Sequence, residues 1–229
     1  MGGFFETHFH TMEVSSCGRV PAAEGVRRYH AAGYDGIVVT DHYTEGFFGD
    51  MPADTSWRDK LDRYLTGWRA ARDAGGVLGM TVLLGLELRF AGSNNDYLVY
   101  GATPALLEAH PALYTLSPEV FSRFAKENGL WWAQAHPFRP GLTRCPPSCL
   151  DGLEVFNGTP RHDSHNGLAA AYAEEHGLTA IAGSDYHELP DLSGTGVRFH
   201  SEVTDNRTLL EGLRSGAFDI VRGAVPPIR

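Results

Sequence analysis

Histidines and carboxylates close one apolar run after another along this chain. His8 and His10 follow Phe4-Phe5, Asp41 and His42 follow Ile37-Val38-Val39, and Glu87 lies among Leu83, Leu84, Leu86 and Leu88. His136 follows Trp131-Trp132-Ala133, and Asp185 and His187 follow Ile181-Ala182-Gly183. Imidazole nitrogens and carboxylate oxygens are ligands for divalent transition metals. Side chains two apart on a strand share a face, so His8 and His10 can reach one ion. Asp185 and His187 repeat that spacing. One such pair arises easily by chance; its recurrence at successive strand ends does not. Eight such groups exceed what one tetrahedral ion takes, which implies more than one metal.

The elements that must position these groups alternate along the chain. Apolar runs predict strands over 4–10, 36–40, 81–90, 97–101, 130–136, 153–156 and 179–184, with a short eighth over 196–199. Helical spacing and end signals predict helices over 21–32, 57–74 (stopped by Gly75-Gly76), 117–128, 163–176 and 205–213. Strand–helix alternation predicts an α/β protein with a parallel sheet. Seven strands with ligand side chains at their ends suit a distorted (β/α)7 TIM-like barrel, a single domain over 1–229, with its chemistry at the C-terminal rim. A doubly wound open sheet is the competing architecture. Segments 45–56 and 139–151 are long enough to overhang that rim.

Composition narrows the class. The chain has 229 residues and a net charge of -9, which argues against a long nucleic-acid partner. Bound cations would cancel part of that acid excess. No apolar run is long enough to span a membrane, and the N-terminus carries no basic signal-peptide start, so a cytoplasmic protein is expected. Cys17, Cys145 and Cys149 form no disulfide framework, and Cys145 and Cys149 lack the second half-site of a zinc motif. His30, His110, His162, His165, His176 and His200 lack strand-end context and read as surface or structural residues.

The motifs His8-Phe9-His10, Thr40-Asp41-His42, Gly85-Leu86-Glu87, Ala135-His136-Pro137 and Gly183-Ser184-Asp185-Tyr186-His187 occur in an order that resembles the PHP (polymerase and histidinol phosphatase) family of metal-dependent phosphoesterases. The resemblance implies a distorted seven-stranded barrel with two or three divalent ions (Zn, Mn or Fe) at one rim. Carried over by position, His8, His10, Glu87 and Asp185 would hold one metal. Glu87 would bridge to a second, with His136, and His42 and His187 would hold a third. Two positions depart from the family pattern. Ser15 and Ser16 stand where it often has a His or Asp, and Glu13 is expected to replace that ligand. Asp96 stands where it often has a His; it reads equally as a ligand and as a turn cap.

Asp41 is expected to orient an imidazole, Glu154 to support the site, and Asp185 or His187 to carry a proton. Arg139, or alternatively Arg19 or Arg161, is expected to meet a phosphate, because a guanidinium presents a planar fork to phosphate oxygens. The activity implied is hydrolysis of a small phosphate monoester by a metal-bound hydroxide. Nuclease or phosphodiesterase action on short nucleotides is an alternative, as is a non-catalytic, metal-stabilised regulatory module. An amidohydrolase-type site is disfavoured, since Lys60 and Lys126 both fall in helical stretches. No nucleophile elbow or phosphate-binding P-loop is present.

Overall fold

In the computed structural model, residues 2–223 are described, so Met1 and residues 224–229 of the expected domain lie outside the described residues. Ten strands are found there: β1 (Phe4–Phe9), β2 (Gly36–Val39), β3 (His42–Thr44), β4 (Thr81–Arg89), β5 (Asp96–Tyr100), β6 (Trp131–Gln134), β7 (Gly152–Asn157), β8 (Thr179–Gly183), β9 (Gly196–Phe199) and β10 (Phe218–Val221). They form one sheet in the order β10-β9-β1-β2-β4-β5-β6-β7-β8, with β3 added on β4. The seven strands read from the sequence are β1, β2 and β4 to β8, and they build the expected α/β barrel, nearly closed.

The barrel is not wholly parallel. β5 runs antiparallel to both β4 and β6. Only residues 90–95 join β4 to β5, and a parallel return needs a crossover of a dozen or more residues. The reversal starts β5 at the rim where the parallel strands end, and it sets Asp96 opposite Arg89.

Closure occurs between β1 and the segment after β8. His10 N donates to Tyr186 O at 3.0 Å, and Tyr186 N donates to His8 O at 3.1 Å. Gly183 permits the approach, because a Cβ there would overlap the Cβ of His8. Side chains replace missing ladder bonds along this seam. Glu6 Oε1 accepts from His8 N at 2.7 Å and Ser184 N at 3.0 Å, and Thr7 Oγ1 donates to Ala182 O at 2.8 Å. Each satisfies a buried group that would otherwise be orphaned.

Eight α-helices are described: α1 (Ala22–Ala31), α2 (Glu45–Gly49), α3 (Trp57–Tyr64), α4 (Thr66–Leu78), α5 (Pro104–Ala109), α6 (Pro118–Glu127), α7 (Asn166–His176) and α8 (Asn206–Ser215). The helix expected over 57–74 breaks at Leu65 and then runs through Gly75-Gly76 to a left-handed Gly79. Gly75 does not stop it because it packs against β4, where a Cβ would crowd Val82. Three apolar clusters fill the spaces between helices and sheet. One joins α1 and α4 to Phe9, Ile37, Val39 and Val82, one joins α8 to Leu98, Tyr100 and Trp131, and the largest lies under α3, α5, α6 and α7.

Candidate metal centre

Glu87 is the hub of the site. It lies inside β4, directly opposite His42 of β3. Its carboxylate is 2.6 Å from His42 Nδ1, 3.1 Å from His8 Nε2, 3.2 Å from His136 Nε2 and 3.4 Å from His10 Nε2. Asp185 Oδ1 lies 3.4 Å from His8 Nε2 and 3.5 Å from His10 Nε2. Four groups have ligand atoms within 4.8 Å of one another: His8, His10 and Glu87; His8, His136 and Asp185; His10, His42 and His187; His42, Glu87 and Asp96. His8 Nε2, His10 Nε2, His42 Nδ1 and Glu87 Oε2 are buried there without a satisfying hydrogen bond. Buried polar atoms normally find partners, and orphaned lone pairs converging on one space suit divalent cations.

A second layer of residues fixes which ring nitrogens face that space. His8 Nδ1 contacts the Glu154 carboxylate at 2.8 Å, which can only accept, so His8 donates through Nδ1 and presents a lone pair at Nε2. His187 Nδ1 contacts the carbonyl of Asp185 at 2.9 Å with the same result. For His10 the constraint passes through a serine. Ser15 Oγ donates to Asp41 Oδ1 at 2.7 Å, so it accepts from His10 Nδ1 at 3.0 Å. Three imidazoles are thus set in the tautomer that metal binding by Nε2 requires.

Two of the cluster's residues have unusual backbone. His136 (φ 31°) and Asp185 (φ 55°) are non-glycine residues in the left-handed region. Such conformations cost on the order of 1–3 kcal/mol and persist where the surroundings enforce them. Glu154 Oε2 takes the amide of His136 at 2.8 Å, and the carbonyl of Asp185 takes His187 Nδ1.

Burial opposes charge on His8, but Glu154, Asp185 and Glu87 outweigh it and raise its pKa well above the ordinary value. His10, buried and facing His187 and His42, is held well below it. Burial also opposes ionisation of Glu87 and Asp185, yet His42 and His8 around the first, and His8 and His187 around the second, hold both well below the usual carboxylate range. Without metal, carboxylate charge is balanced by protons on histidines, so loading the site would release protons.

The structure brings His8, His10, His42, Glu87, Asp96, His136, Asp185 and His187 together, and leaves Glu13 out. The Glu13 carboxylate accepts from Ala22 N at 3.0 and 3.1 Å, where it neutralises the start of α1. Asp41 touches no imidazole; it accepts from Thr11 N, Thr11 Oγ1 and Ser15 Oγ, each at 2.7 Å, and acts on His10 through the serine. Burial pushes its pKa up to about 6 against those hydrogen bonds. Asp96 caps no turn: both its oxygens accept from Arg89, at 2.7 Å, while one stays within ligand range of His42 and Glu87.

Arg19 is exposed, and among the described residues its guanidinium hydrogen-bonds only Ser16 O, at 3.5 Å. Arg139 and Arg161 do reach the rim. Arg139 Nη2 holds Asp185 Oδ2 at 2.6 Å, and Arg161 Nε holds Asp191 at 2.9 Å. Together with Arg89, His136, Asp96 and His162 they line a cavity of about 500 Å³. A second cavity, about 700 Å³, is lined by Cys17, His42, Arg63, Arg89 and part of the segment after β3.

Arg89, Ser15, Cys17, His162 and Glu6 were not legible as site residues. A signal for Arg89 existed, since it sits two residues after Glu87 on the same strand. Ser15 stood at a position where the resembled family often has a His or Asp but was passed over for Glu13, and nothing marked Glu6, whose contact with Ser184 is distant in sequence.

Residues 163–218 match the family described as PHP-associated. No protein of curated function matches the sequence. Among solved structures, the chain is similar to a two-domain protein from Bacteroides vulgatus containing a predicted PHP-like metal-dependent phosphoesterase, with a TM-score of 0.70 and 18% identity over 97% of this chain and 65% of that one. It is similar to PsfC from Pseudomonas syringae, with a TM-score of 0.70 and 18% identity over 97% of this chain and 92% of that one. It also resembles endonuclease Q from Pyrococcus furiosus, with a TM-score of 0.61 and 13% identity over 96% of this chain and 58% of that one. Endonuclease Q has also been solved with a 27-mer duplex carrying an abasic lesion at its active site. The chain shares its fold with these proteins, and the PHP-associated match over residues 163–218 agrees with the resemblance read from the motifs. The chain spans 65% of the first of these proteins and 58% of endonuclease Q. Among the described residues no helix is long and apolar enough to cross a membrane.

Proposed function

We propose that this chain is a metal-dependent phosphoesterase acting on a small phosphate monoester. The observation that carries the reading is the cavity of about 500 Å³ in which Arg89, Arg139 and Arg161 surround the His136 side of the ligand cluster. Such a volume suits a small molecule, and three guanidiniums suit a dianionic phosphoryl group. His8, His10, Glu87, Asp185, His136 and Asp96 would hold two divalent ions. When bound, these would neutralise phosphoryl oxygens and lower the pKa of a water.

The chain's own residues supply the rest. Arg139 Nε and Nη2 are committed to Ser164, Asn157 and Asp185, which fixes the plane of the guanidinium. No hydrogen bond among the described residues uses its Nη1, which remains to donate to a phosphoryl oxygen. Asp185 faces His8, His10 and Arg139, and His187 Nδ1 is committed to the Asp185 carbonyl, so both are assigned to holding cations rather than shuttling protons. His162 lines the cavity outside the ligand cluster, and we assign it the proton for the leaving oxygen. Burial, then Arg139 and Arg161, lower its pKa, which makes the protonated ring a stronger acid but shrinks its population as pH rises, so this role predicts turnover that falls towards higher pH.

The likeness of fold to endonuclease Q keeps a phosphodiester substrate as the second reading, against which stands the net charge of -9. The test is phosphate release from sugar phosphates and nucleoside monophosphates, beside cleavage of a duplex with an abasic site, with Mn or Zn added. Asp185→Asn is the control, because Asn tolerates the left-handed backbone at this position. Monoester turnover lost in that variant supports the proposal. Duplex cleavage alone would replace the substrate class, and a metal-loaded protein that hydrolyses nothing would favour a regulatory module.

A further inference from the structure

Cys17 sits on the loop between β1 and α1, seven residues after His10. Its Sγ is 3.2 Å from His42 Nε2, and His42 in turn shares a group of converging ligand atoms with His187. The loop is built to hold it there. Gly18 N donates to Ser15 O at 2.8 Å, and Arg19 N donates to His187 O at 2.8 Å, which ties the residue after Gly18 to the loop after β8. A Cβ at Gly18 would come within 2.8 Å of Thr11 O, so the turn tolerates little else at that position.

The two histidines are prepared for a partner. His187 donates from Nδ1 to a carbonyl, so its neutral ring has its lone pair on Nε2. His42 Nδ1 faces Glu87, which leaves Nε2 toward the thiol. The ligand atoms of His10, His42 and His187 lie within 4.8 Å of one another, and His10 Nε2 is fully buried without a hydrogen-bond partner.

We propose that Cys17 is the missing protein ligand of a third metal ion, completing a Cys-His-His site with His42 and His187. This rests on reading the cluster as a multi-metal centre. Coordination would exchange the thiol proton for a metal–sulfur bond, and the proton would leave to solvent. Thiolate with two neutral imidazoles is a soft set of three donors that leaves a fourth position open. It favours Zn over Mn, unlike the carboxylate-rich positions around Glu87 and Asp96. The three sites would then differ in metal preference.

The experiment is metal titration of purified protein and of Cys17→Ser, Cys17→His and Cys145→Ser, read by elemental analysis, by the thiolate-to-Co(II) charge-transfer band and by alkylation of Cys17. Wild type and Cys145→Ser should bind three ions and show the band. Cys17→Ser should lose one ion and the band while keeping the other two. Cys17→His should recover the ion without the band. Metal should slow alkylation of Cys17 at least about tenfold. Full occupancy in Cys17→Ser, or alkylation at Cys17 indifferent to metal, overturns the proposal and leaves the phosphoesterase reading standing. A wild-type protein that binds no metal overturns both.

Discussion

Glu154 has no vacancy for a neutral substitute. One oxygen takes His8 Nδ1 at 2.8 Å, and the other takes His136 N at 2.8 Å and Asn157 Nδ2 at 3.0 Å. Gln in its place has one oxygen and one NH2, and two orientations. If the oxygen stays with His136 N and Asn157, the NH2 confronts His8 Nδ1. That imidazole must then carry its proton on Nε2, the atom that faces Glu87 and Asp185. If the amide turns the other way, the buried His136 N–H loses its acceptor, at a cost of roughly 1–3 kcal/mol. Either route falls on the metal site. Loss of a partner that orients a metal-binding histidine lowers affinity about 10–100-fold, or roughly 1.4–2.7 kcal/mol. Glu154→Gln should therefore stay folded and bind Zn about 10–100-fold more weakly in competition with a chromophoric chelator. The effect should vanish in a His8→Ala background, since contacting residues do not act additively. Wild-type affinity in Glu154→Gln, or an undiminished effect without His8, refutes the orienting role.

Three further outcomes are expected. His162→Ala should lower kcat by about 10²–10⁴-fold with metal content unchanged, which elemental analysis beside steady-state kinetics will check. Gly67→Ala should destabilise the protein in urea, although Ala gains about 1 kcal/mol of helix propensity over Gly, because its Cβ would overlap Thr11 Oγ1 and lie 2.8 Å from Asp41 Oδ2. Glu6 is pushed up to about 7 by burial, from an ordinary value of 4.5, so the native state binds its proton more tightly than the unfolded chain. Stability of the metal-free protein should then be full below about pH 4.5, fall as pH rises towards about 7, and level off, a loss of about 3 kcal/mol from this group. Glu6→Gln should lack that loss, and equal pH slopes for the two proteins in chemical denaturation would count against it.

Much of this architecture was readable because burial leaves a strong imprint. Ile37-Val38-Val39 and Trp131-Trp132-Ala133 have no polar face, so they read as buried strands, and the ligands at their ends follow. What escaped was set by other forces. β3 is three residues long and is held by pairing with β4, too short to carry a periodic signal. The reversal of β5 depends on the length of one loop rather than on any residue pattern. Glu13 was misread because sequence proximity to His10 says nothing of direction, and the chain between them turns its carboxylate to the start of α1. Cys17 was passed over because a single thiol has no spacing to recognise; only the approach of His42 and His187 gives it meaning.

Several departures from regular structure fall on or beside the clustered residues. β1 shifts register between Glu6 and Phe9, around His8, and β7 shifts between Glu154 and Phe156, beside the group that orients His8. His136 and Asp185 adopt left-handed backbone. A regular barrel turns alternate side chains of each strand to opposite faces, so the direction in which a strand-end side chain points is set by its register. Bulges re-aim side chains at a local cost in pairing. The displaced backbone donors are taken up by Glu6 and Glu154, two buried carboxylates that serve ladder and site together. On this argument the stability of the seam and the affinity for metal are coupled, and substitutions at Glu6 or Glu154 should move both.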